Sequence, residues 1–285
     1  MKKIGICTDC LCDLPEDYLA SNGIEVMHFY IHTATGRFRD GEEITSDNIL
    51  EYLESGEVII KSNVPEPEEY KVFYEDILTR YETVIYISTS DKIGLSYPNA
   101  AAALKMMGED GKRVILINSG CLSTGLGHMV LHVAAMRDEG RSPEEIVAEC
   151  EAMRNRISCT FIVPDADYLY RMEKVGRGVK ILSKALRIHP VLCVRKGRLS
   201  VKSFRAGSYE KSVIKYVRSE FRHSDRIDRR QLFITHAGSP AKIINQIKAE
   251  AASLCPFDTV TVTKASAAIS SNCGPQTVGV LFVYK

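Results

Sequence analysis

The sequence predicts an α/β protein of two domains. An N-terminal unit over residues 1–155 would carry a parallel sheet between helices, and a C-terminal unit over residues 156–285 a mixed sheet. Three observations lead there. Short apolar runs at residues 3–7, 84–88 (VIYIS) and 114–118 (VILIN) precede small polar residues and then helical patterns. Strands that alternate with helices of roughly 10–15 residues make a parallel sheet covered on both faces. Beyond Cys159 the texture changes, because two apolar runs, 191–194 and 199–204, flank the turn pair Lys196-Gly197 as in a hairpin. Finally, 285 residues at roughly 100–200 per domain make two domains the natural division.

Taken in order, the first strand ends at Thr8-Asp9, and helices are predicted over 46–54, 66–80, 98–107, 124–138 and 143–154. The last begins at Ser142-Pro143-Glu144-Glu145, a capping serine followed by proline at the first helical position. The second half reads as a strand at 160–163, helices at 168–171 and 179–186, and the hairpin. A helix over 209–221, a strand at 231–235, a helix at 239–254 and strands at 258–263 and 278–284 complete it.

Hydrophobic residues make up 45% and charged residues 26%, an ordinary globular mix, and the net charge of +1 excludes a histone-like chain. MKKIGICTDC has too short an apolar run for a signal peptide, and no stretch reaches the roughly 18 apolar residues of a membrane span. Nine cysteines, an odd number with no export signal, read as thiols, so the expected compartment is the cytoplasm. The charge is unevenly spread. Residues 1–60 hold four basic and twelve acidic side chains, whereas residues 171–205 hold eleven basic side chains against Glu173 alone. Such a division points to a partner, an anionic ligand or pairing between the two segments. Phe204 is the only aromatic in the basic stretch, a poor stacking platform, so no nucleic-acid partner is expected.

Three loops rich in Ser, Thr and Gly are candidates for binding an anion: 88–96, 119–125 and 270–274. The first two follow a strand and open a helix, where free backbone N–H groups and the positive helix end favour carboxylate or phosphate. Their hydroxyls serve equally well as helix caps. None matches GxxxxGK[ST] or GxGxxG, so there is no nucleotide fingerprint. Cys7, Cys10 and Cys12 lack the second pair of a zinc ribbon and read as small buried thiols. His128 and His132 stand four apart on a predicted helix, but Met129 replaces the glutamate of HExxH and no third ligand is evident. No metal or cofactor is expected, and no G-x-S-x-G elbow supports a hydrolase.

A series of short motifs runs along the whole chain, opening with Ile6-Cys7-Thr8-Asp9-Cys10-Leu11-Cys12-Asp13-Leu14-Pro15. It continues through Arg39-Asp40-Gly41, residues 61–70 and 87–100, Asn118-Ser119 and Ser123-x-Gly125-Leu126-Gly127. It ends with Phe161-Ile162-Val163, His236-Ala237-Gly238, Gly274-Pro275 and Gly279. In this order the motifs resemble the DegV family of bacterial fatty-acid-binding proteins, whose opening T-D-S-x-x-D-L-P is similar to the first of them. The resemblance implies a two-domain α/β fold holding a long-chain fatty acid, such as palmitate, stearate or oleate, in a tunnel between the domains. It also implies a protein that is not itself an enzyme but presents the lipid to a fatty acid kinase, a partner for which the basic 171–205 region is the candidate surface.

In the family the carboxylate is held by a Thr of T-S-Q-P, a Ser of L-S-G-T-Y and a His of H-T-G-P-G. Here the aligned positions are Ser62, Gly94 (followed by Leu95 and Ser96) and Asn272, while K-G-G-R-I becomes Arg171-Met172-Glu173-Lys174-Val175. These five residues, Ser62, Gly94, Leu95, Ser96 and Asn272, are the expected head-group site, with Asn272 donating through its amide. Thr8, Asp9, Ser119 and Ser123 are the candidate supporting loops. Burying about fourteen methylenes at ~0.8 kcal/mol each gives on the order of 11 kcal/mol gross. A hydrogen bond to a charged group contributes ~1.5–3 kcal/mol, so tail burial outweighs the altered head-group contacts. The alternative is an enzyme or binding protein for a small anionic metabolite using the same loops, with Asp9 as its only candidate acid or base at a strand end.

Overall fold

A computed structural model describes residues 2–56, 60–164, 167, 170, 177, 178 and 188–285. The expected helices at 168–171 and 179–186 lie outside the described residues, as does most of the basic stretch before Ile188.

The N-terminal sheet is parallel, in the order β2-β1-β6-β7, formed by Ile24–Met27, Lys2–Asp9, Tyr81–Ser88 and Val114–Asn118. Ile85, Tyr86 and Ile87 are fully buried, as an apolar run between two helical layers must be. The helices α1 (Glu16–Ser21), α2 (Ser46–Glu54), α3 (Pro67–Leu78) and α4 (Ser96–Met106) precede α5 (Ser123–Asp138) and α6 (Pro143–Arg154). Ser142 accepts from the Glu145 amide and Pro143 opens α6, as its sequence predicts.

The C-terminal sheet is built from β8 (Ile157–Ile162), β9 (Ile188–Arg195), β10 (Arg198–Ala206), β11 (Ile227–His236), β12 (Thr259–Lys264) and β13 (Val278–Tyr284). It is mixed, in the order β10-β9-β8-β13-β11-β12. Only β11 and β12 run parallel. The β9–β10 hairpin turns on Lys196 and Gly197, at φ 50° and 78°, the left-handed pair that a two-residue hairpin turn requires. Helices α7 (Tyr209–Glu220) and α8 (Ala241–Leu254) cover one face.

Helix α1 and strand β2 are absent from the sequence reading, and two further features depart from it. A small antiparallel sheet, β4-β3-β5 (Arg37–Arg39, Tyr30–His32, Lys61–Asn63), is absent from it. Strands of three polar-rich residues carry too little alternation to be recognised. The segment 270–274, read as a loop, is instead mostly helix: α9 spans Ala267–Cys273, its amide ends capped by Ser266 and by carboxylates from the other half of the chain. The local sequence, rich in Ser and Asn, favours a turn; the distant carboxylates stabilise the helix.

Helix α5 sits between the two large sheets and is buried nearly all round, from Ser123 through Val130. His128 has a structural role here: its Nε2 meets the Leu281 carbonyl at 3.0 Å, joining the two halves, and burial drives its pKa down to about 4. His132 faces Glu149 at 3.6 Å. Cys7 and Cys12 are buried free thiols, and Cys10 Sγ accepts the Phe29 amide at 3.3 Å. Among the described residues, no ion pair joins segment 1–60 to segment 171–205. Lys202 instead meets Glu220 at 2.7 Å, and Asp47 meets Lys264 at 2.5 Å.

Candidate functional site

A cavity of about 590 Å³ opens between the two large sheets, within the usual range of roughly 300–1,000 Å³ for small-molecule sites. Its apolar wall includes Leu11, Phe29, Ile93, Leu122, Phe161 and Leu281. Ser62, Gly94, Leu95, Ser96 and Asn272 all line it, as does Ser123. Thr8, Asp9 and Ser119 are fully buried and do not line it.

Asp9 explains how the 88–96 loop takes its shape. Its carboxylate is fully buried and receives the Thr89 amide and hydroxyl and the Ser96 hydroxyl, each at 2.6 Å, the Ser88 hydroxyl at 3.3 Å, and the Tyr86 hydroxyl. A strand-end carboxylate that satisfies five donors is a loop anchor. Thr8 extends this role by donating to the Ile87 carbonyl at 2.9 Å. The hairpin turn clamps the same loop from the other side, since Ser90 donates to the Gly197 carbonyl at 2.7 Å and Lys92 to the Lys196 carbonyl at 3.2 Å. Gly94 and Leu95 therefore sit on a braced loop, with the Leu95 side chain 62% exposed. Ser119 closes the neighbouring turn by accepting from the Cys121 amide at 3.1 Å.

Ser62 is the middle residue of β5, paired with Ile31 of β3, and Asn272 is in the last turn of α9. Although 210 positions apart, Asn272 Nδ2 donates to Ser62 Oγ at 3.2 Å. The same nitrogen donates to the Ala268 carbonyl at 2.6 Å and lies 3.5 Å from Ser271 Oγ. An amide nitrogen has two hydrogens, and both are engaged within the chain. The expectation that Asn272 donates to a ligand is therefore corrected: its remaining group is the acceptor Oδ1. Ser96, likewise, gives its hydroxyl hydrogen to Asp9.

Helix α9 is held by carboxylates. Asp40 receives the Ala267 and Ala268 amides, both at 2.8 Å, and Asp13 receives the Ser266 amide at 2.8 Å and the Ser123 hydroxyl at 2.5 Å. Burial raises Asp13 to a pKa of about 7 and Asp40 to about 6, against the lowering effect of these donors. Sequence reading did not select Asp13, Asp40 or the cavity residues Lys92, Arg198 and His236 as site residues. The motifs that carry Asp13, Asp40 and His236 were the available signal. His236 Nδ1 accepts the Ser239 amide at 3.2 Å, and burial lowers its pKa.

The model of the family described as "Uncharacterised protein, DegV family" matches residues 3–285. The chain belongs to the DegV family. A DegV domain-containing protein of Caldanaerobacter subterraneus subsp. tengcongensis is 29% identical over 287 residues, covering 100% of both chains. Among solved structures, a DegV family protein from Thermus thermophilus, described for its fatty acid binding, superposes with a TM-score of 0.90 at 26% identity, covering 99% of this chain and 100% of that one. A DegV family protein from Eubacterium eligens loaded with heptadecanoic acid gives a TM-score of 0.86 at 16% identity, covering 99% and 100%. The two-domain α/β fold expected of a DegV protein is the fold observed, with its parallel N-terminal and mixed C-terminal sheets.

Proposed function

We propose that this DegV protein binds one long-chain fatty acid in the cavity between its sheets, with the carboxyl head near Ser62, Gly94, Leu95, Ser96 and Asn272 and the tail along the apolar wall. The observation that carries this reading is the convergence of those five residues, drawn from three separate segments, on one largely apolar cavity. The fatty acid binding described for the Thermus thermophilus relative supports it. Tail burial, on the order of 11 kcal/mol gross for about fourteen methylenes, supplies most of the affinity.

The protein acts as a carrier rather than a catalyst in this reading. Asp9, the candidate acid or base of a small-metabolite enzyme, is occupied by five donors and does not line the cavity. Presentation of the carboxyl group to a separate fatty acid kinase extends the proposal. The hairpin that clamps the 88–96 loop carries Arg195, Lys196 and Arg198 next to the cavity, a basic surface suited to an acidic partner or a phosphorylated product.

Mass spectrometry of the denatured protein after expression should release close to one fatty acid per chain. The delipidated protein should gain thermal stability when palmitate or oleate is added, as RT ln(1 + [L]/Kd) requires. Absence of both lipid and stabilisation overturns the assignment.

A further inference from the structure

We infer that the head-group site holds its ligand as the neutral carboxylic acid, read by Ser62 as donor and Asn272 Oδ1 as acceptor, rather than as the carboxylate. This rests on the fatty acid reading above and narrows it to one protonation state.

The argument begins with the orientation of one amide. The Ala268 carbonyl, which also accepts from the Ser271 hydroxyl at 2.9 Å, lies 2.6 Å from this amide; an oxygen there would meet oxygen with oxygen, so the nitrogen of Asn272 faces it. The second amide hydrogen goes to Ser62 Oγ, with Ser271 Oγ as its more distant neighbour. Among the described residues, no hydrogen bond engages Oδ1. Ser62, having accepted from Asn272, retains its own hydroxyl hydrogen. The pair thus offers one donor and one acceptor side by side. A carboxylate has only acceptors, and against Oδ1 it meets oxygen with oxygen. A carboxylic acid matches both: its carbonyl accepts from Ser62 and its O–H donates to Asn272. A primary amide head group matches in the same way, whereas an ester lacks the donor.

Charged and titratable groups lie on the elements packed against the pair and along the cavity. His32 and Lys61 come from β3 and β5, and Asp47, Glu51 and Glu54 from α2. Asp13 and Asp40 hold the opposite end of α9, while Glu66, Lys92, Arg198 and His236 line the cavity. Among the described residues, none is hydrogen-bonded to Ser62 or Asn272, and Lys92 is turned to the Lys196 carbonyl. A cation that paired with the ligand would reverse the preference, so the test includes Arg198.

The delipidated full chain should be titrated with palmitic acid, palmitamide and methyl palmitate from pH 6 to 8.5, each below its aggregation concentration. Palmitamide has no titrating group, so it reports any pH effect that belongs to the protein. Relative to palmitamide, palmitic acid should weaken by close to tenfold per pH unit, because less of it is protonated. Methyl palmitate should bind about tenfold more weakly than the amide. Asn272→Leu should erase the difference between amide and ester, and Ser62→Ala should weaken all three ligands. Palmitic acid that binds independently of pH and more tightly than the amide, with that advantage lost in Arg198→Gln, overturns the inference while leaving lipid binding intact. So does an ester that equals the amide. Failure of all three ligands to bind overturns the fatty acid reading and this inference with it.

Discussion

The Ala268 amide reaches the Asp40 carboxylate at 2.8 Å across 228 positions of sequence. With Ala267 on the same carboxylate and Ser266 on Asp13, the first turn of α9 is closed by acids from the other half of the chain. The helix that carries Asn272 is therefore positioned by two buried carboxyls.

These two acids set a pH dependence. Burial raises Asp13 to about 7 and Asp40 to about 6, whereas unfolding returns each to about 3.9. Between pH 4 and pH 7 the folded chain holds protons that the unfolded chain releases. Their contribution to stability is thus fully present below about pH 4 and is lost as pH rises through 6 and 7. A tenfold difference in proton affinity between the folded and unfolded chain is about 1.4 kcal/mol, so the change amounts to a few kcal/mol. Buried His128, held down to about 4, works the other way below about pH 6.5, so the comparison with Asp13→Asn carries the test: the native protein should gain Tm relative to the variant as pH falls from 8 to 6. Parallel profiles in the two proteins contradict the assignment.

Asp9→Asn should be strongly destabilising. An amide cannot accept from all five groups that face Asp9, and its own NH₂ opposes at least one of them. Each buried donor left unpaired costs about 1–3 kcal/mol, so denaturant titration should show a loss of at least about 2 kcal/mol. A loss under about 1 kcal/mol, the lower end of that range, would mean that the loop holds without its anchor.

Gly94→Ser should be neutral for folding. A Cβ at Gly94 meets nothing within 4 Å, and its backbone is not left-handed, so a side chain enters open space. We expect a change within about 0.5 kcal/mol in thermal or chemical denaturation, as for an unconstrained surface position. A larger loss would show that glycine is required there.

Gly125→Ala should destabilise although alanine is the better helix former by ~1 kcal/mol. The new Cβ would lie 2.3 Å from Cys121 Sγ and 3.2 Å from Cys159 Cβ. Overpacking of this kind costs about 1–3 kcal/mol, so the clash wins. Cys121→Ala combined with Gly125→Ala should recover most of the loss. If the double variant is no more stable than Gly125→Ala alone, the sulfur is not the obstacle.

Much of this protein is legible along the chain. The apolar run VIYIS becomes β6, and the predicted helix over 46–54 is α2 with those bounds. The pair Lys196-Gly197 forms the hairpin turn, because turn dihedrals are a local property. The motif order leads to the DegV family, and its aligned positions lead to five residues that share one cavity. Local signals and motif spacing need no partner from elsewhere in the chain.

What the tertiary structure decided is the state of each polar group. Ser96 and Asn272 look like free donors in sequence, but Asp9 takes the hydrogen of one, and Ala268 and Ser62 take both amide hydrogens of the other. Residues 270–272 read as loop because Ser and Asn favour turns. They are helical because Asp13 and Asp40, more than 220 positions away, accept the amides that the first turn leaves unpaired. A donor's availability depends on which acceptors folding brings within about 3 Å, and that is a property of the assembled molecule.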